Sequence, residues 1–65
     1  MTIGDRMLQY RARHNLSQTE LGALIGEGIS TIFRAESGKY RTHKANEIRL
    51  TEKMNKLESD ENVQM

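Results

Sequence analysis

Leu16-Ser17-Gln18-Thr19-Glu20-Leu21-Gly22-Ala23-Leu24-Ile25-Gly26-Glu27-Gly28-Ile29-Ser30-Thr31-Ile32-Phe33-Arg34-Ala35-Glu36-Ser37-Gly38 opens with a helix start signal and closes with a stop. Ser17 and Glu20, three residues apart, can satisfy each other's backbone N–H groups with their side chains, the reciprocal arrangement of a capping box. Leu16 just before the cap and Leu21 four residues into the helix have the spacing of a hydrophobic staple. Gly26 tolerates the left-handed conformation that ends many helices, and Gly38 offers a second stop after another short helical run. In the first of these helices Leu21, Leu24 and Ile25 form the inward stripe, with Thr19, Glu20 and Ala23 more exposed. Gly28 caps the second more weakly than a hydroxyl side chain would. Two helices joined by about three residues cross steeply, and the second then projects outward.

Toward the N-terminus, Thr2 with Asp5 reads as a weaker cap that starts a helix near Ile3. Ile3, Met7, Tyr10 and His14 recur at helical spacing and give that helix one apolar face, taken as core, before Asn15 ends it. Toward the C-terminus, Lys39-Tyr40-Arg41-Thr42-His43-Lys44 is a basic run with one aromatic. Thr42 can cap a fourth helix reaching to about Glu58, with Ala45, Ile48, Thr51, Met54 and Leu57 as its stripe and Leu50 on a second face. Residues 59–65 are polar and acidic, which predicts a disordered tail. The pattern implies one all-α domain over residues 1–58, compact, with four to five short helices.

Composition narrows the function. At 65 residues the chain is near the small end of what folds alone, where oligomerisation is a common source of stability. It has no cysteine, so disulfides and thiolate metal sites are excluded. No apolar run approaches membrane-spanning length and no signal peptide is visible, which predicts a cytoplasmic, nucleoid-associated protein without a membrane partner. The formal net charge is only +1, but its distribution is uneven. Residues 1–49 hold eight Lys/Arg (6, 11, 13, 34, 39, 41, 44, 49) against five Asp/Glu (5, 20, 27, 36, 47), giving +3. Residues 50–65 hold two against four, giving −2. The positive charge therefore sits with the central helix pair and the loop after it. No Gly-rich phosphate loop follows a strand, no nucleophile has a paired base, and His14 and His43 lie on different elements. No catalytic residue, metal, cofactor or small-molecule ligand is expected.

The central stretch resembles the helix-turn-helix, about residues 17–37, of the phage repressor, Cro and xenobiotic-response-element family of transcriptional regulators. That family's pattern is Leu-Ser/Thr-Gln, two variable residues, Leu-Ala, three variable residues, Gly, and a recognition helix ending in Glu-Asn-Gly. Leu16-Ser17-Gln18, Leu21, Ile25, Gly26, Ile32, Glu36 and Gly38 fall on it without insertion or deletion. With Arg11 in front, the resemblance covers residues 3 to about 57. Three positions depart from it: Gly22 replaces a usual Ala at the cost of helix propensity, Glu27 replaces an apolar residue, and Gly28 replaces a Ser or Thr cap. A carboxylate facing DNA is costly, so Glu27 should point aside or pair with a Lys or Arg.

The resemblance implies a lambda-repressor-like fold and sequence-specific binding of double-stranded operator DNA, with repression as the consequence, by a homodimer on half-sites about one turn apart. Ile29, Ser30, Thr31 and Arg34 then read bases from the third helix, Arg34 through guanine O6 and N7. Gln18, Lys39, Tyr40, Arg41 and Lys44 would hold the DNA backbone. Arg11 and Glu36 match the family's interhelical ion pair. Ile29, Ile32 and Phe33 also form an apolar stripe that would suit the core; Ile29 is read as facing DNA and Phe33 as packing at the core edge. Dimerisation would use a Leu50/Met54/Leu57 surface on the fourth helix. A protein-interaction module on the same fold, an antitoxin and a restriction-modification controller are the alternatives.

Overall fold

The computed structural model describes residues 2–38 and 43–63. They form α1 (Ile3–His14), α2 (Gln18–Ile25), α3 (Ile29–Ser37) and α4 (Lys44–Val63), with no strand among the described residues. Each of the first two helices starts with a complete capping box. Thr2 Oγ1 accepts from the Asp5 N–H at 3.1 Å while Asp5 Oδ2 accepts from the Thr2 N–H at 3.2 Å, a fuller cap than the sequence suggested. Ser17 and Glu20 do the same for α2, at 3.0 and 2.8 Å. Both helices end through a left-handed residue, Asn15 and Gly26, after which the next N–H returns to a carbonyl five residues back, Leu16 to Arg11 and Glu27 to Gly22. Gly28 provides no side-chain bond to α3.

The core is built from Ile3, Met7 and Tyr10 of α1, Leu21 and Ile25 of α2, Ile32 of α3, and Leu50 and Met54 of α4, with Leu16, Ala35 and Leu57 packed against it. Two glycines set how closely the elements approach. A Cβ on Gly4 would lie 1.9 Å from the Ala35 carbonyl oxygen, so α1 crosses α3 backbone to backbone. A Cβ on Gly22 would lie 2.5 Å from the Glu27 carbonyl oxygen, because the turn folds back over α2. Gly22 is therefore required by contact and not merely tolerated.

Several side chains lie elsewhere than their spacing suggested. Leu24 is 54 % exposed. With Gly22 buried beneath the turn, the inward direction of α2 rotates toward Leu21, Gly22 and Ile25, and Leu24 falls on the flank. His14 is exposed, with its ring 4.3 Å from the Tyr10 ring. In α4 a stripe spaced by threes drifts about 60° per step, so it cannot hold one face. The buried face is instead Leu50, Met54 and Leu57, at i, i+4 and i+7, and Ile48 on the far side is exposed. Leu50 and Met54 are consumed by the intramolecular core, so the surface expected to support a dimer is not available. α4 also runs to Val63, through residues expected to be a disordered tail; the sequence after Gly38 contains no glycine or proline to stop it. No described helix is long and apolar enough to cross a membrane. The Thr42 cap lies outside the described residues.

Candidate nucleic-acid interface

Ile32 and Ala35 turn one side of α3 into the core, and the residues about 180° around the helix then face outward. Those are Ile29, Ser30, Phe33 and Arg34, all exposed. With Gln18 at the start of α2 they line a shallow open depression. Phe33 is 52 % exposed, as is Ile29, which places both on this face and not at the core edge. The reason is the glycine crossing: the α1 backbone lies directly against Ala35 and fixes the rotation of α3. Thr31 lies on the flank, half-buried, outside the lining of the depression.

The orientation of α3 is locked by a charged junction. Arg11 Nε donates to Glu36 Oε2 at 2.8 Å and a terminal nitrogen donates to Oε1 at 2.6 Å, a two-pronged pair. Another Arg11 nitrogen donates to the Leu16 carbonyl at 3.1 Å, tying the α1–α2 connection into the same junction. The Glu36 side chain is 5 % exposed and that of Arg11 is 18 %. The hydrogen bonds that Arg11 donates to Glu36 raise the guanidinium above its already high ordinary value.

Gln18 joins this junction by donating its amide Nε2 to Glu36 Oε1 at 3.1 Å. A carboxylate only accepts, so this contact assigns the amide orientation, with the NH2 toward Glu36. The Gln18 side chain is thus held in place at the edge of the depression.

Glu27, the acidic residue in the turn, is turned away from α3. Lys53 Nζ donates to Glu27 Oε2 at 2.5 Å, and Arg49 donates to both oxygens at 2.9 and 3.3 Å. The bonds from Lys53 and then Arg49 hold its carboxyl below the usual range, so it is ionised and neutralised by α4. The sequence foresaw a basic partner for Glu27 but could not say which. The Arg6–Glu58 pair, at 3.1 Å, ties α1 to the far half of α4. Lys44 is exposed at the first residue of α4, while Lys39, Tyr40 and Arg41 lie outside the described residues.

The helices, the short turn between α2 and α3 and the outward α3 face agree with a family comparison. A family model described as helix-turn-helix matches residues 7–61, most of the chain. The chain belongs to the helix-turn-helix family of the Cro and phage-repressor type. It is accordingly a DNA-binding transcription regulator. Comparisons with curated proteins and with solved structures give no match.

Proposed function

We propose that this regulator binds a specific double-stranded operator by inserting α3 into the major groove, and represses by occupying it as a small Cro-like protein of phage or mobile-element type. The observation that carries the reading is the absence of a carboxylate among the described residues lining the outward depression. Gln18, Ile29, Ser30, Phe33 and Arg34 line it, while the two acidic residues nearest α3, Glu27 and Glu36, are each drawn into pairs elsewhere. Arg34, with Ser30 beside it, offers donors to base edges; Gln18, Lys44, the cations Lys39 and Arg41 and the Tyr40 hydroxyl hold phosphates. Thr31, on the flank, reaches the groove wall. The protein binds as a homodimer through a surface other than the buried Leu50/Met54 face, and it works in the cytoplasm, on the nucleoid.

The experiment is a fluorescence titration of duplexes carrying the DNA upstream of its own gene, and of scrambled duplexes, at several salt concentrations. Arg34→Ala should cost about 1–3 kcal/mol on the specific duplex and little on the scrambled one. Replacing Lys39, Arg41 and Lys44 should weaken both and flatten the salt dependence by roughly one unit of slope per lost contact. A second reading draws on Ile29 and Phe33, each half exposed: a protein-interaction module. It takes over if wild type binds no duplex in a salt-dependent way.

A further inference from the structure

Phe33 is the residue on the outward face that sequence reasoning assigned to the core, and its placement changes what the face can read. Ile29 and Phe33 are one helical turn apart, equally exposed, and line the same depression as Gln18, Ser30 and Arg34. Polar and cationic side chains border the two apolar ones. That mixture matches the major-groove edge of a thymine-containing sequence, where each thymine shows a methyl group beside hydrogen-bonding atoms. A protein-docking surface of ordinary size would be a broader apolar patch.

We propose that Ile29 and Phe33 form a methyl-reading pair that selects two thymines next to the base contacted by Arg34. This rests on the operator reading above. Four residues of helix advance about 6 Å, and a base step about 3.4 Å, so the two methyl groups lie about two base steps apart. The C5-methyl group of each thymine packs against an aliphatic or aromatic side chain and leaves water, which gives roughly a fourfold gain in affinity per methyl.

The test uses the 65-residue chain and a library of random duplexes from which tight binders are selected. The best duplex is then resynthesised with deoxyuridine in place of each thymidine in turn, which deletes the methyl and leaves the base-pairing groups unchanged. The expected result is selection of thymines at that spacing, a loss of roughly fourfold per critical methyl for wild type, and no loss from uracil substitution for Phe33→Ala at the methyl that Phe33 covers. Phe33 is solvent-facing, so the variant should fold; circular dichroism checks this, and the uracil series on wild type needs no variant. The proposal is overturned if uracil substitution leaves wild type unaffected, or weakens wild type and Phe33→Ala equally at every thymine. If the library yields no enriched sequence and binding shows no salt dependence, the operator reading itself has failed, and the methyl-reading pair falls with it. Enrichment without thymine at these positions overturns only the pair.

Discussion

Two junctions hold the helix-turn-helix together, and they are built from similar parts to different strengths. At the first, Glu36 of α3 meets Arg11 of α1 next to the Gly4 crossing. At the second, Glu27 in the turn meets Arg49 and Lys53 of α4 above the Gly22 contact. Each pairs a carboxylate with one or two cations and sets a glycine under a backbone carbonyl. The first is a fork-to-carboxylate pair with both side chains nearly buried. The second is assembled from cations 45 % and 32 % exposed. Screening by water separates them: a pair withdrawn from solvent is costly to break, whereas a solvated one contributes about 0–1 kcal/mol. The rotation of α3 is therefore fixed from the α1 side, while the charges that α4 supplies to the second junction restrain the turn.

Breaking the first junction should give the largest effect. Arg11→Met takes the two-pronged partner from the Glu36 carboxylate and leaves the Gln18 amide as a donor, and should destabilise by about 3 kcal/mol. For a domain of this size each kcal/mol shifts Tm by roughly 4–8 °C, so the loss is readily seen by thermal denaturation. Glu36→Gln should also lower Tm clearly. If both variants melt with wild type, the junction is surface decoration.

The glycines test the same contrast by packing. Gly4→Ala puts a methyl 1.9 Å from a backbone oxygen that cannot swing aside, and should cost about 2–3 kcal/mol as α1 and α3 separate. Gly22→Ala regains about 1 kcal/mol of helix propensity. Its methyl would still meet the Glu27 carbonyl at 2.5 Å, so the turn must lift, and the net effect should be a smaller loss. Urea denaturation of the two variants ranks the sites; a stabilised Gly22→Ala would show that the turn yields freely.

How much of this was legible beforehand follows the range of the interaction. Local signals were clear: Ser17 with Glu20 and the stop at Gly26 depend on residues within a few positions, and they appear where the sequence placed them. The Arg11–Glu36 pair, 25 residues apart, came from family resemblance and is present. Rotation about a helix axis was read poorly. Leu24, Phe33, Ile48 and Leu50 were each assigned a face from spacing, and each lies on another because a neighbouring element decides it. Gly4 gave no sign of its importance, since a glycine in a first turn reads only as a propensity cost until the Ala35 carbonyl is seen beside it. Arg49 and Lys53 were invisible as partners of Glu27 because their approach depends on how α4 packs.

A subtler effect distinguishes the junctions by their link to the DNA-facing side. Gln18 is held by Glu36, whereas none of the hydrogen bonds of Glu27 reaches the depression. Below the melting range, Glu36→Gln should therefore weaken DNA binding severalfold by loosening Gln18, while Glu27→Gln should leave affinity unchanged. Titrations on one duplex at low temperature, with folding verified, separate this from lost stability. Equal losses would mean that both junctions act only through the fold.

The smallest expected effect is that of Glu27→Gln on stability, about 1 kcal/mol or less at neutral pH, and its signature is the pH dependence. Lys53 and Arg49 depress the Glu27 carboxyl in the folded state. A depressed acid contributes stability that is complete above its unfolded value, about 4.3, and is lost as pH falls through the lower folded value. Wild type should thus lose part of its stability below about pH 4, and Glu27→Gln should lose less over the same interval. Glu20, lowered by the Ser17 backbone N–H, acts with the same sign and remains in both proteins, so the difference between the two curves isolates Glu27. Arg11, raised instead, keeps its own proton throughout this range, and its junction is present in both proteins, so it drops out of the difference. Denaturant titrations from pH 2.5 to pH 7, on the order of one per half unit, give both curves. Parallel curves would mean that water screens the Glu27 cluster fully and that the turn is held by the Gly22 contact alone.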